Sequence, residues 1–457
     1  MTVNGNVSFW YAADGLPGQR TPLTGDTTAD VAIVGAGYTG LWTAYYLKKA
    51  DPSLDIVVLE SRFAGFGASG RNGGWLTNSI TGGRGQYVNS HGRKTVGRFQ
   101  ELLNETVDEV ISAAGAEGID AHFHKGGELN VARNEAQLAR LKAYAESEEA
   151  WPEAGARLLD ARETGERVNI ANALGSIHQP HAARIHPAKL VRGLAEVCER
   201  MGVRIYEGTA VTEILPRKAV TAYGTVEAAY IMRATEGFTA NLKGSHREWL
   251  PMNSSMIATA PLPDSVWDEI GWNDRDTVGD MAHAYMYAQR TEDGRIALGG
   301  RGVPYRYGSK TDTDGATQPG TIKLLTDILH DMFPATRGAA IDHAWAGVLG
   351  VPRDWKATVG LDKETGIGWA GGYVGTGVTA TNLAGRTLRD LILDPGSELT
   401  QMPWVNRKVR RWEVEPARWI AVQSLYKAYG IADQAEKTGR SATSKIARIA
   451  DLVSGRA

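Results

Sequence analysis

With a single cysteine, Cys198, in 457 residues, the chain has no partner for an internal disulfide and no thiolate cluster for a metal. That usage fits a reducing compartment, and the cytoplasm is the expected location. Charge of one sign is also missing: 50 basic against 52 acidic residues leave a formal charge of -2. No long-range field is available to recruit a phosphate backbone or an anionic membrane, which argues against nucleic acid and membrane partners. No apolar run reaches the roughly 20 residues of a bilayer span, because charges or glycines interrupt every candidate. Met1 to Gly15 lacks a basic stretch followed by an apolar one, so no secretory signal is expected there.

Glycine is abundant, with 54 residues, well above its usual share of about 7%. It concentrates in Gly65 to Gly85 and Gly366 to Gly377 without low-complexity repetition. Such clusters suit places where backbone must approach a ligand closely.

Asp30 to Val34 reads as a buried parallel strand, Tyr38 to Lys49 as a helix with Leu41, Ala44, Tyr45 and Leu47 on one face, and Ile56 to Leu59 as a second strand. Between the first strand and the helix stands Gly35-Ala36-Gly37-Tyr38-Thr39-Gly40, a G-x-G-x-x-G in the context that gives it meaning. Gly35 permits the turn, Gly37 lets a pyrophosphate reach the backbone, and Gly40 lets helix and strand pack closely. The helix N-terminus supplies unpaired N–H groups and partial positive charge. Glu60, with Ser61 and Arg62 behind it, ends the second strand where a carboxylate accepts hydrogen bonds from a ribose diol and repels a 2'-phosphate. FAD and NAD both satisfy these features.

Further helices are expected over Phe99 to Ala114, Asn134 to Glu149, Pro187 to Met201, Thr321 to Met332 and Asn382 to Leu393, with a hairpin over Tyr285 to Leu298. The tail from Pro403 reads as helices laid over the body.

Two more segments separate the dinucleotides: Gly67-Ala68-Ser69-Gly70-Arg71-Asn72-Gly73-Gly74, and Gly371 to Thr379 leading into the last strong helix. With these the chain resembles the D-amino-acid-oxidase-like flavoproteins, particularly the glycine oxidase, sarcosine oxidase and gamma-glutamylputrescine oxidase group. The likeness covers nearly the whole chain, including His186-Pro187, Thr209-Ala210-Val211, Ala234-Thr235-Glu236-Gly237 and Leu250-Pro251. The first glycine loop is most similar to the gamma-glutamylputrescine oxidase branch.

The resemblance implies a mixed α/β fold, with a Rossmann-like FAD-binding domain (1–110, 181–245, 340–400) interleaved with an antiparallel-sheet substrate domain (111–180, 246–339) and followed by a helical extension (401–457). It implies that Gly35, Gly37 and Gly40, with Ala36, Tyr38 and Thr39 between them, hold the pyrophosphate. Glu60, Ser61 and Arg62 would flank the ribose, Val211 the adenine, and Ala234 and Thr235 the strand end. Gly67, Ala68, Ser69, Arg71, Asn72, Gly73 and Gly74 would follow the pyrophosphate and flavin, with Gly375, Thr376, Gly377, Val378 and Thr379 at the pyrimidine edge. Relatives that tether flavin use a cysteine near the C-terminal part or a histidine in the first loop; this chain has neither, so non-covalent FAD is expected.

The reaction the resemblance implies is oxidation of a carbon–nitrogen bond in a small amine, with dioxygen or another electron acceptor. Oxidation of a hydroxy acid or alcohol, or a non-catalytic flavin subunit, are the alternatives. Such chemistry rests on positioning. Tyr285 and Tyr287 are candidates for a pocket wall, and 13 tryptophans against 7 phenylalanines allow an aromatic enclosure for a cationic amine. Arg353 is a candidate carboxylate ligand, although Trp75 to Asn78 stand where relatives carry a basic residue for that purpose, which favours larger or less acidic amines. Ala297 falls where some oxidases carry a lysine that assists reaction with dioxygen. His178, His181 and His186 lack nearby carboxylates, and no metal is expected; His186 reads as a helix cap. Nothing in the sequence sets an oligomeric state.

Overall fold

A computed structural model describes residues 2–300, 305–311 and 314–437, together with 444 and 447. Two large sheets organise it. In the first, the strand Thr27–Val34 lies parallel to Ile56–Leu59 on one side and to Thr225–Arg233 on the other. Arg204–Tyr206 extends it beyond Ile56–Leu59, and Ile367–Gly371 pairs in parallel with the end of Thr225–Arg233. Val31 to Val34 and all of Ile56–Leu59 are buried, as expected for strands covered on both faces. The antiparallel strands Val211–Leu215 and Lys218–Thr221 complete this sheet at its edge.

Three helices cover it: Tyr38–Ala50, Pro187–Arg200 and Gly377–Leu393, whose apolar faces share one core. The first and last cross closely. A Cβ on Gly385 would stand 2.8 Å from the carbonyl carbon of Trp42, so the crossing requires glycine.

The second sheet has nine strands in the spatial order Val3–Asn4, Ile341–Val351, Leu250–Thr259, Ile296–Gly300, Tyr287–Arg290, Thr277–Asp280, Glu128–Ala132, Gly175–Gln179 and Arg157–Asp160. It is mostly antiparallel, with parallel pairing where Val3–Asn4 meets Ile341–Val351 and where Thr277–Asp280 meets Glu128–Ala132. The small ribbon of Trp75–Thr77 and Ala182–Arg184 lies apart from both sheets.

Several elements differ from the sequence reading. The helix expected from Phe99 is the second half of Gly85–Ala116, interrupted at Gly92, where φ is 76°; the polar first half carries too little apolar periodicity to reveal itself. The helix expected from Asn382 starts five residues earlier, at Gly377. Tyr285 precedes its strand, which runs Tyr287–Arg290. The tail from Pro403 is not helical throughout: the described helix is Ala417–Lys437. Before it, residues 403–416 are pinned in other conformations, with Arg407 paired to Asp354 and Trp412 Nε1 donating to the Val351 carbonyl at 2.7 Å. Pro416 disfavours helical backbone at Glu415. Residues 438–443 and most positions beyond them lie outside the described residues.

Candidate active site

The fingerprint turn sits between strand and helix as its glycines demand. Gly35 has φ of +106°, and a Cβ there would stand 2.6 Å from the Ala234 carbonyl oxygen. A Cβ on Gly40 would stand 2.0 Å from the Gly35 oxygen, so helix and strand touch at this point. The N-cap, Gly37, has no side chain to cap the helix; apart from the Tyr38 N–H, which Ser69 takes, the first-turn N–H groups are left to a ligand. Val34, Gly35, Gly37, Tyr38 and Thr39 line a cavity of about 220 Å³, together with Glu60, Ser61, Gly67, Ala68, Ser69, Asn72, Val211, Ala234 and Thr235. Gly375, Gly377 and Val378 border the same cavity from the other end of the chain. Ser69 fixes the two glycine segments to each other by accepting from Tyr38 N at 2.8 Å.

Glu60 is buried at the far end. It accepts from Ala36 N at 2.9 Å and from Arg62 N at 3.0 Å. Burial pushes its pKa up, and the backbone N–H groups oppose that rise.

A second cavity, about 460 Å³, shares Ala68, Asn72, Gly375 and Val378 with the first. Arg71, Gly73, Thr376, Trp75, Tyr285 and Tyr287 line it, with Glu128, Asn130, Asp280 and His283. The Tyr287 ring fills the space that Cβ atoms on Gly73 and Gly299 would need, at 2.7 and 2.2 Å. Its hydroxyl is 2.8 Å from Ser254 Oγ, and its ring lies 6.1 Å from Trp75 and 6.5 Å from Tyr285. The helix Gly377–Leu393 likewise has no side-chain cap. Its N-terminus therefore presents partial positive charge where the two cavities meet.

Not every expected residue lines these cavities. Ala36 and Gly40 act through the turn geometry, and Gly74, with φ of +70°, packs where a Cβ would meet Gln289 Nε2 at 2.0 Å. Arg62 lies over the Phe66 ring. Thr379 is buried in the first turn of the helix Gly377–Leu393, its hydroxyl without a hydrogen-bond partner among the described residues. Arg353 reaches neither cavity: it pairs with Glu413 at 3.1 Å and covers the Trp412 ring, because the tail brings an acid to it. Ala297 is core beside Met256 and Trp345. His186 caps its helix, accepting from Lys189 N at 3.3 Å, and Cys198 is buried between helices.

Sequence reasoning missed three groups. The first is Glu236, three residues beyond the strand Thr225–Arg233 and on the wall of the smaller cavity. Its carboxylate accepts from Gly372 N at 2.7 Å, Gly350 N at 3.1 Å and Tyr373 N at 3.2 Å, tying the second glycine segment to the larger sheet. Its φ of 42° is a strained conformation for a non-glycine residue. One acid in a run of small residues carries no periodic signal. The second is Glu128, a buried acid on a strand. The third is the cluster of His283, Asp433 and Glu436, whose ligand atoms lie within 4.8 Å of one another. Arg140 donates to both Glu436 oxygens, at 2.9 and 2.8 Å, and Asp433 accepts from His283 N and Ala284 N. The cluster is thus an ion-pair seal between the tail helix and the cavity wall rather than a metal centre.

Burial raises the Glu236 pKa from 4.5 to about 7, against the three N–H groups. The folded state therefore binds more protons than the unfolded state between those values, and ionisation of Glu236 lowers stability as pH rises through that window. Relative to Glu236→Gln, the wild-type apoprotein should lose on the order of 3 kcal/mol from about pH 4.5 to about pH 7 and nothing more above it. Paired thermal melts across this range check it; a pH-independent difference between the two would contradict the assignment.

The chain belongs to the family of FAD dependent oxidoreductases, whose model matches residues 30–391. Gamma-glutamylputrescine oxidoreductase of Escherichia coli is 32% identical over 396 residues, 85% of this chain and 89% of the relative. Glycine oxidase of Bacillus subtilis is 21% identical over 377 residues, 80% of this chain and 93% of its own. Among solved structures, glycine oxidase from Geobacillus kaustophilus superposes with a TM-score of 0.69 at 20% identity, covering 83% of this chain and 99% of that one.

The residues present fit FAD. Two helix N-termini whose N-cap residues give no side-chain cap, and a glycine cradle that Cβ atoms would block, face one connected space, and a buried acid stands at its far end. Among the described residues, neither cysteine nor histidine lines the smaller cavity, in keeping with FAD held without a covalent tether. Among the described residues, no helix is long and apolar enough to cross a membrane.

Proposed function

We propose that this enzyme oxidises a carbon–nitrogen bond of a small primary or secondary amine to an imine, which hydrolyses to a carbonyl compound and an amine. The observation that carries this reading is the larger cavity, which opens on both glycine segments and is walled by Trp75, Tyr285 and Tyr287. The similarity to a gamma-glutamylputrescine oxidoreductase and to glycine oxidases supports an amine or amino-acid-like substrate. FAD, when bound, supplies the acceptor for a hydride from the carbon beside nitrogen.

The chain's own residues do the rest. Trp75, Tyr285 and Tyr287 exclude water and orient the substrate's carbon skeleton. The N-terminus of Gly377–Leu393 stabilises negative charge that develops at the junction of the two cavities. No lysine lines either cavity among the described residues.

Anaerobic mixing of the yellow protein with panels of amines, amino acids and hydroxy acids tests the proposal. Amines should bleach the oxidised flavin band. Bleaching by hydroxy acids alone, or by nothing in the panels, would overturn it. Admitting air, with peroxide detection in parallel with a dye acceptor, then reads which acceptor the enzyme uses.

A further inference from the structure

The larger cavity is lined by a buried carboxyl group that forms no ion pair among the described residues. Glu128, 7% exposed, stands at the start of the strand Glu128–Ala132 and lines the wall. One of its oxygens accepts from Thr77 Oγ1 at 2.7 Å and the other from Asn130 Nδ2 at 2.8 Å, both neutral donors. A carboxylate has about four acceptor sites, so capacity remains on each oxygen. Among the described residues no lysine, arginine or histidine forms an ion pair with it. Burial raises its pKa, opposed by those two hydrogen bonds and by the charge of the His178 imidazolium.

The cations lining the same cavity are committed elsewhere. Arg140 holds Glu436 and the Met281 carbonyl, and Arg71 holds the Phe66 and Ala346 carbonyls. The other acid on the wall, Asp280, caps the backbone at Ala282 and Met286. Trp75 lines the same cavity, and its ring edge borders Asn130, the residue that donates to Glu128. At Gly279, a Cβ would meet both Asn130 Oδ1, at 2.5 Å, and the Trp75 ring edge, at 3.4 Å. Carboxylate and indole together form an environment that recognises an ammonium by charge-assisted hydrogen bonding and cation–π attraction.

We propose that Glu128 is the receptor for a positively charged nitrogen of the substrate, so that the enzyme takes amines carrying a second, cationic nitrogen and disfavours those presenting a carboxylate at that position. The nitrogen Glu128 holds is not the one oxidised, because the latter needs its lone pair. The substrate therefore carries at least two nitrogens. This rests on the amine-oxidation reading above and deepens it.

Recognition can be measured without turnover. The FAD-loaded protein is titrated with tert-butylammonium, which has no hydrogen on the carbon bearing nitrogen and cannot be oxidised, and with pivalate, its anionic counterpart of the same shape. Calorimetry should show binding of the cation and none of the anion. In Glu128→Gln, with FAD content unchanged, cation affinity should fall about tenfold or more. Glu128→Asp, which keeps the charge, should restore part of it, and Glu128→Ala, which removes the carboxylate, serves as the test if the glutamine variant loses FAD. Preference for pivalate, no binding of the cation to the wild type, or equal cation affinity in the wild type and the tested variant would overturn the proposal. Failure of the amine panel to bleach the flavin would instead sink the reaction itself, so the two failures are distinguishable.

Discussion

Gly40→Ala should be isolated largely colourless. The added Cβ would stand 2.0 Å from the Gly35 carbonyl oxygen, 3.2 Å from its carbon and 3.1 Å from Ile33 Cγ2. Two of these atoms are backbone in the fingerprint turn, so no rotamer change can relieve the clash. The helix must back away from the strand, and its N–H groups leave the position in which they meet a pyrophosphate. Overpacking of this kind costs about 1 to 3 kcal/mol, so FAD affinity should fall on the order of tenfold to a hundredfold. The ratio of flavin to protein absorbance after gel filtration measures it, with circular dichroism to confirm the fold. Gly18→Ala, where an added Cβ meets nothing within 4 Å, is the control. A full FAD complement in Gly40→Ala would contradict the geometry.

The second large effect is expected at Arg71. Its side chain is 2% exposed, lies over the Phe66 ring at 4.4 Å, and donates from Nε to the Phe66 carbonyl at 2.8 Å and from Nη1 to the Ala346 carbonyl at 3.3 Å. Its own carbonyl accepts from Trp345 Nε1 at 2.8 Å. One residue thus fastens the first glycine loop to the strand Ile341–Val351 of the larger sheet. Arg71→Met fills much of the volume but leaves both carbonyls without that donor inside the protein. A loss of about 2 to 4 kcal/mol in stability follows, accompanied by weaker FAD retention. Lysine is a poor rescue, since it lacks the planar fork that reaches two carbonyls at once. Thermal melts of apo and FAD-loaded forms check this, and a wild-type melting temperature in Arg71→Met would refute it.

The strand–turn–helix–strand unit around Gly35 was legible because its signals are local: β-branched runs, glycines at fixed offsets, and an acid at the end of the second strand. The two other glycine segments were legible for the same reason, although the second could be placed at the nucleotide only through resemblance to known flavoproteins. Arg353 misled, because its partner Glu413 lies sixty residues onward in a tail whose path no periodicity describes. Tyr285 and Tyr287 do line one cavity, but through a bend before the strand rather than through strand alternation.

Local backbone preference, written in contiguous residues, determined the nucleotide-binding unit and with it the family's cofactor. Only the packing of the two sheets decided which distant groups meet: Glu236 with Gly350 and Gly372, Arg71 with Ala346, and Glu128 with Thr77. Those pairings join segments tens to hundreds of residues apart. Their energy comes from burial and hydrogen bonding that exist once the chain has folded, so no short stretch of sequence could announce them.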